Sequence, residues 1–214
     1  LNYGKVFTRE VVLIIWTVLG LGICAYILGF FKFRHDSPIK KITPLRILFS
    51  VMFFAVCIYL TTGILGRKLG ELESFLPPKN SGSVFNVLGN RHEELQWMIN
   101  NYEAALQRAR AENKHVFVDF TGYTCTNCRW MEANMFTVPE VKAEMEKFVL
   151  VSLYTDGEGE IYERQQQMEQ QMFGTVALPF YAIVDREGNI IATFPGLTRN
   201  SAEFVDFLKK SNKN

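Results

Sequence analysis

The amino-acid sequence predicts an α/β domain preceded by a hairpin of two membrane-spanning helices. Two long apolar runs, residues 11–31 and 47–65, predict the hairpin. Strand and helix patterns that alternate over residues 91–214 predict the α/β domain. A pair of cysteines, Cys125 and Cys128, falls where one of these strands gives way to a helix, and it is the most informative local feature of the chain.

Each apolar run is long enough to cross a bilayer. About 20 residues at a rise of roughly 1.5 Å each span about 30 Å, the thickness of the hydrocarbon core. Neither run contains a charged residue. A pair of buried core helices is the alternative, but core helices in a small domain carry a polar face. A signal peptide is disfavoured, because no small-residue cleavage site follows the first run and a second run does.

The distribution of basic residues predicts the orientation of the hairpin. The densest basic cluster lies in the loop 32–46, which the positive-inside rule places in the cytoplasm. This cluster consists of Lys32, Arg34, Lys40, Lys41 and Arg46. Basic residues on the other side weaken the asymmetry without reversing it, and they are Lys5, Arg9, Arg67 and Lys68. The α/β domain is therefore expected outside the cytoplasm, where disulfides persist.

Composition shifts divide the chain into three parts. We expect the hairpin over residues 1–66, a linker over 67–90 and the α/β domain over 91–214. The linker contains turn and breaker signals at Pro77-Pro78 and in residues 80–83. The formal net charge of +1 gives no reason to expect a nucleic-acid partner. Because the chain begins with Leu, we expect it to be a fragment or a processed chain.

The α/β domain divides into elements by hydrophobic period. Helical spacing of apolar residues predicts helices at 93–112, 125–135, from 138 onward, 161–173 and 201–211. Apolar runs with β-branched residues predict strands at 115–120, 148–154, 180–185 and 189–194. The turn 186–188 makes the last two strands a hairpin. Ser201 is the expected N-cap of the last helix.

Several short motifs carry a family resemblance. They are Val118-Asp119-Phe120, the Cys-X-X-Cys that opens a helix, Leu178-Pro179 before a strand, and Gly196 after the hairpin. This arrangement resembles the thioredoxin fold, which implies a central mixed sheet with helices on both faces. More narrowly, the chain resembles the C-terminal part of the DsbD family of bacterial thiol:disulfide interchange proteins. In that family a transmembrane core is followed by a periplasmic thioredoxin-like domain, and Glu132 also fits it.

The cysteine pair is best explained as a redox-active dithiol. A helix N-terminus favours negative charge, so the pKa of Cys125 should be lowered and Cys125 should be the attacking thiol. Cys128 lies one turn further and should resolve the mixed disulfide. A structural disulfide is an alternative, but so small a ring stabilises little. A zinc site needs further ligands, and a c-type haem needs His where Arg129 stands. We expect no metal and no cofactor.

The resemblance implies roles for residues around the cysteines. It makes Asp119 the proton acceptor and donor for Cys128, whereas an outward-facing strand residue is the alternative. It makes Glu132 an acid that tunes the thiols, and a solvated helix face is the alternative. Pro179 is the candidate cis-proline that pairs with a partner chain, and a plain trans-proline is the alternative. The remaining expected partner-contacting residues are Leu178, Tyr123 and Thr124.

The function that we expect is a membrane-anchored protein-disulfide reductase in the bacterial inner membrane. Electrons would come from an upstream transmembrane donor domain that is missing from this chain, and would pass to periplasmic oxidised proteins. The resemblance implies disulfide isomerisation and c-type cytochrome maturation as the processes served. A tethered thiol oxidase or isomerase is an alternative, and a non-catalytic chain-binding module is another. Cys24 and Cys57, one in each apolar run, are either small buried hydrophobes or a second redox pair.

Overall fold

The computed structural model describes residues 8–34, 42–77 and 95–213, and these fall into two compact units. The first unit contains the two apolar helices. The second contains the short segment Gly70–Phe75 and the residues from 95 onward. Part of the predicted basic loop and most of the predicted linker lie outside the described residues. The predicted features affected are Lys5, Lys40, Lys41, Pro78 and residues 80–83.

The first unit is an antiparallel pair of helices, α1 (Arg9–Leu28) and α2 (Pro44–Ile64). Both are long and apolar enough to cross a membrane, with mean hydropathies of 2.6 and 2.2. The helices approach closely at Gly20, where a methyl group would lie 2.6 Å from the Cys57 sulfur.

Polar contacts tie the ends and the middle of this hairpin together. The Arg9 guanidinium donates to the Gly63 and Arg67 carbonyls at 2.8 and 3.1 Å, which satisfies backbone acceptors at the end of α2. The two cysteines of the hairpin are buried and free, and each thiol donates to a carbonyl of the opposite helix. Both therefore take part in helix packing.

The second unit alternates strands and helices. The strands are β1 (Trp97–Ile99), β2 (Val116–Thr121), β3 (Val149–Tyr154), β4 (Phe180–Val184) and β5 (Ile190–Pro195). The helices are α3 (Tyr102–Glu112), α4 (Thr126–Trp130), α5 (Pro139–Met145), α6 (Glu160–Phe173) and α7 (Ser201–Leu208). A π-helical turn, Met131–Met135, extends α4, and 3-10 helices lie at Gly70–Phe75 and Lys209–Lys213.

The five strands form one mixed sheet in the order β1-β3-β2-β4-β5. The pairs β1–β3 and β2–β3 are parallel, and the pairs β2–β4 and β4–β5 are antiparallel. In this register Asp119 on the central strand β2 lies between Ser152 of β3 and Tyr181 of β4. The middle of the sheet thus carries an acidic side chain among apolar ones.

Helices cover both faces of the sheet, as the resemblance implies. One face packs against α5, α7 and the π-helical turn, through a core that includes Phe117, Met131, Met145, Phe204 and Phe207. The other face packs against α3 and α6, through a core that includes Ala105, Ala109, Val118, Phe120 and Val151. Burial of these side chains on both faces explains why β2, β3 and β4 are apolar without alternation.

The predicted helix over 93–112 is wrong in its first half. Its described residues begin with strand β1, which pairs with β3, and the helix starts only at Tyr102. Asn100 has a φ of 54° and its side chain accepts from the Tyr154 amide, so the chain turns there. Asn101 then caps α3 by accepting from the Ala104 amide. The apolar spacing that fits a helix continues across this break and hides it.

Two smaller expectations also change. The N-cap of α7 is Asn200 and not Ser201, because the Asn200 side chain accepts from the Ala202 and Glu203 amides. Within the predicted linker, the segment Gly70–Phe75 forms a 3-10 helix that packs against α4. There the Trp130 indole donates to Glu71 at 3.0 Å.

Candidate active site

Cys125 and Cys128 are joined by a disulfide at the start of α4. Cys125 is the N-cap residue, and its sulfur accepts a hydrogen bond from the Cys128 amide at 3.2 Å. Cys125 is partly exposed, whereas Cys128 is only 1% exposed. An amide that already points at the Cys125 sulfur would stabilise a thiolate there once the ring opens.

The loop before Cys125 is fixed by Asp156, which follows β3. The Asp156 carboxylate accepts from the amides of Tyr123 and Thr124 at 2.7 and 2.8 Å, and from the Thr124 hydroxyl at 2.8 Å. Gly122 permits this approach, because a methyl group there would lie 2.7 Å from an Asp156 carboxylate oxygen. The three donors orient the chain that leads into the disulfide.

Tyr123 lies beside the site as a partly exposed aromatic residue. The residue is 39% exposed, and its ring stacks on the ring of Tyr154 with the centroids 4.1 Å apart. The guanidinium carbon of Arg129 lies 5.6 Å from the centroid of the same Tyr154 ring. Tyr154 therefore connects the loop before the disulfide with the helix that follows it.

Asp119 lies on β2, the strand before the disulfide, and only 1% of its surface is exposed, so the alternative of an outward-facing side chain is wrong. Ser152 donates to its carboxylate at 3.4 Å. Burial, and next the charge of Glu132, raise the pKa of Asp119 well above its usual range. Arg129 and the Ser152 hydrogen bond oppose that rise. These surroundings favour the protonated form of the Asp119 carboxyl.

Glu132 lies on the π-helical turn, and its side chain is 30% exposed. Its carboxylate pairs with Arg129 at 2.6 Å and accepts from the Thr121 hydroxyl at 3.2 Å. Burial raises the pKa of Glu132, and the charge of Arg129 and the Thr121 hydrogen bond oppose the rise. Glu132 and Asp119 influence each other electrostatically, so the structure brings both predicted acids into one cluster.

The other side of the site is formed by the segment that precedes β4. The Leu178–Pro179 peptide bond is cis, so the alternative of a trans-proline is wrong. The Pro179 carbonyl accepts from the Gly196 amide at 2.8 Å, which ties this segment to the chain after β5. Leu178 approaches Gly122, where a methyl group would lie 3.1 Å from its Cδ1. Among the residues described, no group of three or more His, Cys, Asp or Glu side chains is placed to hold a metal ion.

Three residues of the site were not singled out from the sequence. Asp156 and Tyr154 lie at the end of β3, and Arg129 follows Cys128 directly. Parallel pairing of β2 with β3 brings the ends of these strands together, so residues after β3 reach the loop after β2. A polar residue after a predicted strand that neighbours the Cys-X-X-Cys strand was the signal available for Asp156.

Comparisons with known proteins show which class of protein the second unit resembles. Residues 96–186 match the thioredoxin-like family. This segment, with its disulfide at the start of α4, is therefore similar to thioredoxin-like proteins.

More particularly, the chain is similar to the thiol:disulfide interchange protein DsbD of Campylobacter jejuni, which confirms the resemblance to the DsbD family. The identity is 26% over 181 residues, which is 83% of this chain and 29% of the relative. The chain thus spans less than a third of the length of the curated relatives it matches.

Two solved structures are similar to part of the chain. A thioredoxin from Thermus thermophilus is 24% identical with a TM-score of 0.47, covering 56% of this chain and 88% of that one. The C-terminal domain of DsbD from Neisseria meningitidis in its reduced form is 21% identical with a TM-score of 0.44, covering 53% and 98%.

Proposed function

We propose that this chain is a membrane-anchored protein-disulfide reductase whose reduced Cys125–Cys128 pair passes electrons to the disulfides of partner proteins. The observation that carries the proposal is a disulfide whose partly exposed sulfur caps a helix, together with a buried carboxyl of raised pKa on the strand that precedes that helix. The first feature favours a reactive thiolate, and the second supplies a proton carrier.

The reaction runs as two exchanges. The Cys125 thiolate attacks a sulfur of the client disulfide, the client S–S bond breaks, and one client thiolate leaves. Cys128 then gives its proton to Asp119 and attacks the Cys125 sulfur, which releases the second client thiolate and closes the ring. The client gains two electrons, and the Cys125–Cys128 pair loses two. Asp119 ends this half of the cycle protonated, the form favoured by its burial.

The proposed location is the bacterial inner membrane, crossed by α1 and α2, with the thioredoxin-like domain in the periplasm. The length and hydropathy of both helices and the similarity to DsbD support this placement. By the same similarity, the electron donor is an upstream transmembrane domain with its own thiols. Clients would be periplasmic oxidised proteins, including disulfide isomerases and apocytochromes c.

The reduction potential of the Cys125–Cys128 couple tests the reductase proposal. Equilibration of the full chain in detergent with glutathione buffers, followed by alkylation and mass spectrometry, gives the fraction reduced. Thioredoxin lies near about −270 mV and the strong oxidant DsbA near about −120 mV. We expect a value below about −220 mV, in the range of reductants. A value close to that of DsbA would instead make the chain an oxidase.

A variant without either cysteine tests whether redox chemistry is needed at all. Replacing both residues, Cys125→Ser with Cys128→Ser, should abolish function in cells, because no exchange step remains. Full function of that variant would indicate a chain-binding module and would overturn the proposal. The matched control replaces the two hairpin cysteines, Cys24→Ala with Cys57→Ala, and should retain function.

A further inference from the structure

The residue that directly follows the disulfide in the chain is a buried cation. Arg129 follows Cys128 and is only 4% exposed. Its Nη2 donates to the Glu132 carboxylate at 2.6 Å and to the Thr121 hydroxyl at 2.7 Å. That hydroxyl in turn donates to the same Glu132 oxygen, so the three groups close a triangle. Burying a guanidinium is costly unless a carboxylate pairs with it, and Glu132 is that carboxylate.

The two acids of the site therefore differ in their partners. Glu132 has an ion pair with the guanidinium, whereas the hydrogen bond described for Asp119 comes from the neutral hydroxyl of Ser152. The charge of Glu132 disfavours a second charge on Asp119. When the surroundings of two acids separate their proton affinities, the acids take different roles.

We propose that Arg129 is a positioning residue that holds Glu132 as a carboxylate and so leaves the exchangeable proton of the site on Asp119. The inference rests on the proposed function, in which Asp119 exchanges a proton with Cys128. Arg129 touches neither sulfur in this role; it acts through Glu132.

The other groups that face this cluster stay neutral. Tyr154 of β3 lies under the guanidinium, and burial raises its pKa to about 12. Tyr181 of β4 pairs with Asp119 in the sheet, and burial raises its pKa well above the usual range. Among the titratable groups described around the cluster, this leaves the two acids and the opened cysteines to change charge near neutral pH.

Proton and charge balance show how the Arg129–Glu132 ion pair affects the opening of the disulfide. When a donor thiolate attacks Cys125, the ring S–S bond breaks and the Cys128 sulfur leaves with the electron pair. It takes the proton of Asp119, so one negative charge moves from sulfur to carboxylate. The Arg129–Glu132 pair stays neutral throughout. Without the cation, Glu132 would take up a proton of its own, and a second group would titrate with the thiols.

Carbon-13 NMR of the carboxyl groups tests this assignment. The full chain in its disulfide form, in detergent micelles, is titrated from pH 3 to 10, and Asp119→Asn and Glu132→Gln assign the two signals. We expect the Glu132 carboxyl to lose its proton at lower pH than that of Asp119. Arg129→Met should raise the proton affinity of Glu132 at least tenfold. Arg129→Lys keeps a cation beside Glu132, so its proton affinity should stay close to that in the parent. The matched control is Arg164→Met, which removes an exposed ion pair of similar length, 2.7 Å, and should leave Glu132 unchanged.

An unchanged Glu132 titration in Arg129→Met would overturn the proposal. If Arg129→Met does not fold, the titration of Asp119 in Glu132→Gln tests the same proposal. Removing a charged carboxylate near Asp119 should lower the pH at which Asp119 ionises. An unmoved Asp119 would then mean that Glu132 was never charged. The titration needs no turnover, so its result is independent of the reduction potential and of the clients.

Discussion

At the scale of single residues, Cys125 and Asp119 lie in surroundings that favour opposite charge states. The helix start and the Cys128 amide favour an anion at Cys125. Burial and the charge of Glu132 favour a neutral Asp119. A dithiol site needs this combination, because one sulfur must attack as a thiolate while the other needs a proton carrier.

Replacing the buried acid separates its catalytic role from its effect on stability. Asp119→Asn removes the exchangeable proton, and we expect ring opening and closure at pH 7 to slow by about 100-fold. The rates should also depend less on pH. Stopped-flow fluorescence during reduction by a small dithiol measures both quantities. A rate within about twofold of the parent would exclude Asp119 as the proton carrier.

The same variant should be more stable than the parent at neutral pH. Because the folded pKa of Asp119 is raised, folding loses stability as pH rises above the ordinary pKa of an aspartate, about 4. An amide carries no such dependence. The free energy of unfolding should therefore favour Asp119→Asn by about 1–3 kcal/mol at pH 8 and by less at pH 4. The exposed change Asp206→Asn is the control and should show no such trend.

The Asp156 carboxylate holds the loop that leads into the disulfide. Asp156→Ala removes the acceptor of three hydrogen bonds, so we expect a loss of about 1–2 kcal/mol of stability. We also expect slower attack by Cys125. Urea unfolding and the rate of alkylation of the reduced protein measure these effects. Asp206→Ala is the control, and equal behaviour of the two variants would show that the loop needs no such anchor.

The residues predicted from the sequence are those whose position within a motif reveals them. Cys125, Cys128, Asp119 and Pro179 all belong to local patterns. Asp156 became part of the site only through the pairing of β2 with β3. Arg129 is next to Cys128, but its contact with the Tyr154 ring joins distant parts of the chain, and a local pattern does not reveal it.

At the scale of elements, the sequence-based assignments succeeded where an element is long or clearly periodic, and failed at the short strand β1. Strands β2 to β5 and helix α6 match the predicted segments to within a residue or two, because long apolar runs or a clear helical period mark them. Strand β1 has only three residues and is followed at once by a capped helix. A period that suits the helix extends back through such a short strand, so hydrophobic spacing alone does not separate them.

The segment Gly70–Phe75 supplies an element-scale prediction. Trp130 donates to Glu71 there, and Arg199 lies over the Trp130 ring and 3.7 Å from Glu71. Trp130→Phe and Glu71→Gln should each increase hydrogen exchange in this segment by several-fold. The global stability should change by less than about 1 kcal/mol, because the contacts are exposed. Unchanged exchange in both variants would show that apolar packing alone holds the segment.

At the scale of the whole molecule, the sequence divides the chain by composition and the structure divides it into two compact units. The mixed sheet with helices on both faces follows the expectation from the resemblance. The segment Gly70–Phe75 joins the second unit although its composition gave no sign of this, since its contacts are with α4, far along the chain.

A buried acid on α6 makes the stability of this unit depend on pH. Glu169 is fully buried, and neither carboxylate oxygen has a hydrogen-bond partner within the described part of the chain. Burial raises its pKa from 4.5 to about 8. A raised pKa of an acid stabilises folding below the unfolded value, and this contribution is lost as pH rises to about 8.

Glu169→Gln should therefore stabilise the protein at neutral and alkaline pH. We expect a gain of roughly 2–3 kcal/mol at pH 7, at about 1.4 kcal/mol per pKa unit, and little change near pH 4. Thermal unfolding across this pH range measures it. The exposed Glu163→Gln on the same helix is the control. A gain that is equal at pH 4 and pH 8 would show that Glu169 does not titrate in this range.

The central claim is that Cys125 attacks and Cys128 resolves, and reaction with a small aromatic disulfide, DTNB, tests it most directly. In a Cys24→Ala, Cys57→Ala background, the reduced chain should release two equivalents of the coloured thiolate, because Cys128 displaces the second. Cys128→Ser should release one equivalent quickly and keep the other as a mixed disulfide on Cys125. Cys125→Ser should react at least about tenfold more slowly, since Cys128 is buried. Equal rates for the two single variants, or release that stops at one equivalent in the parent, would contradict the account.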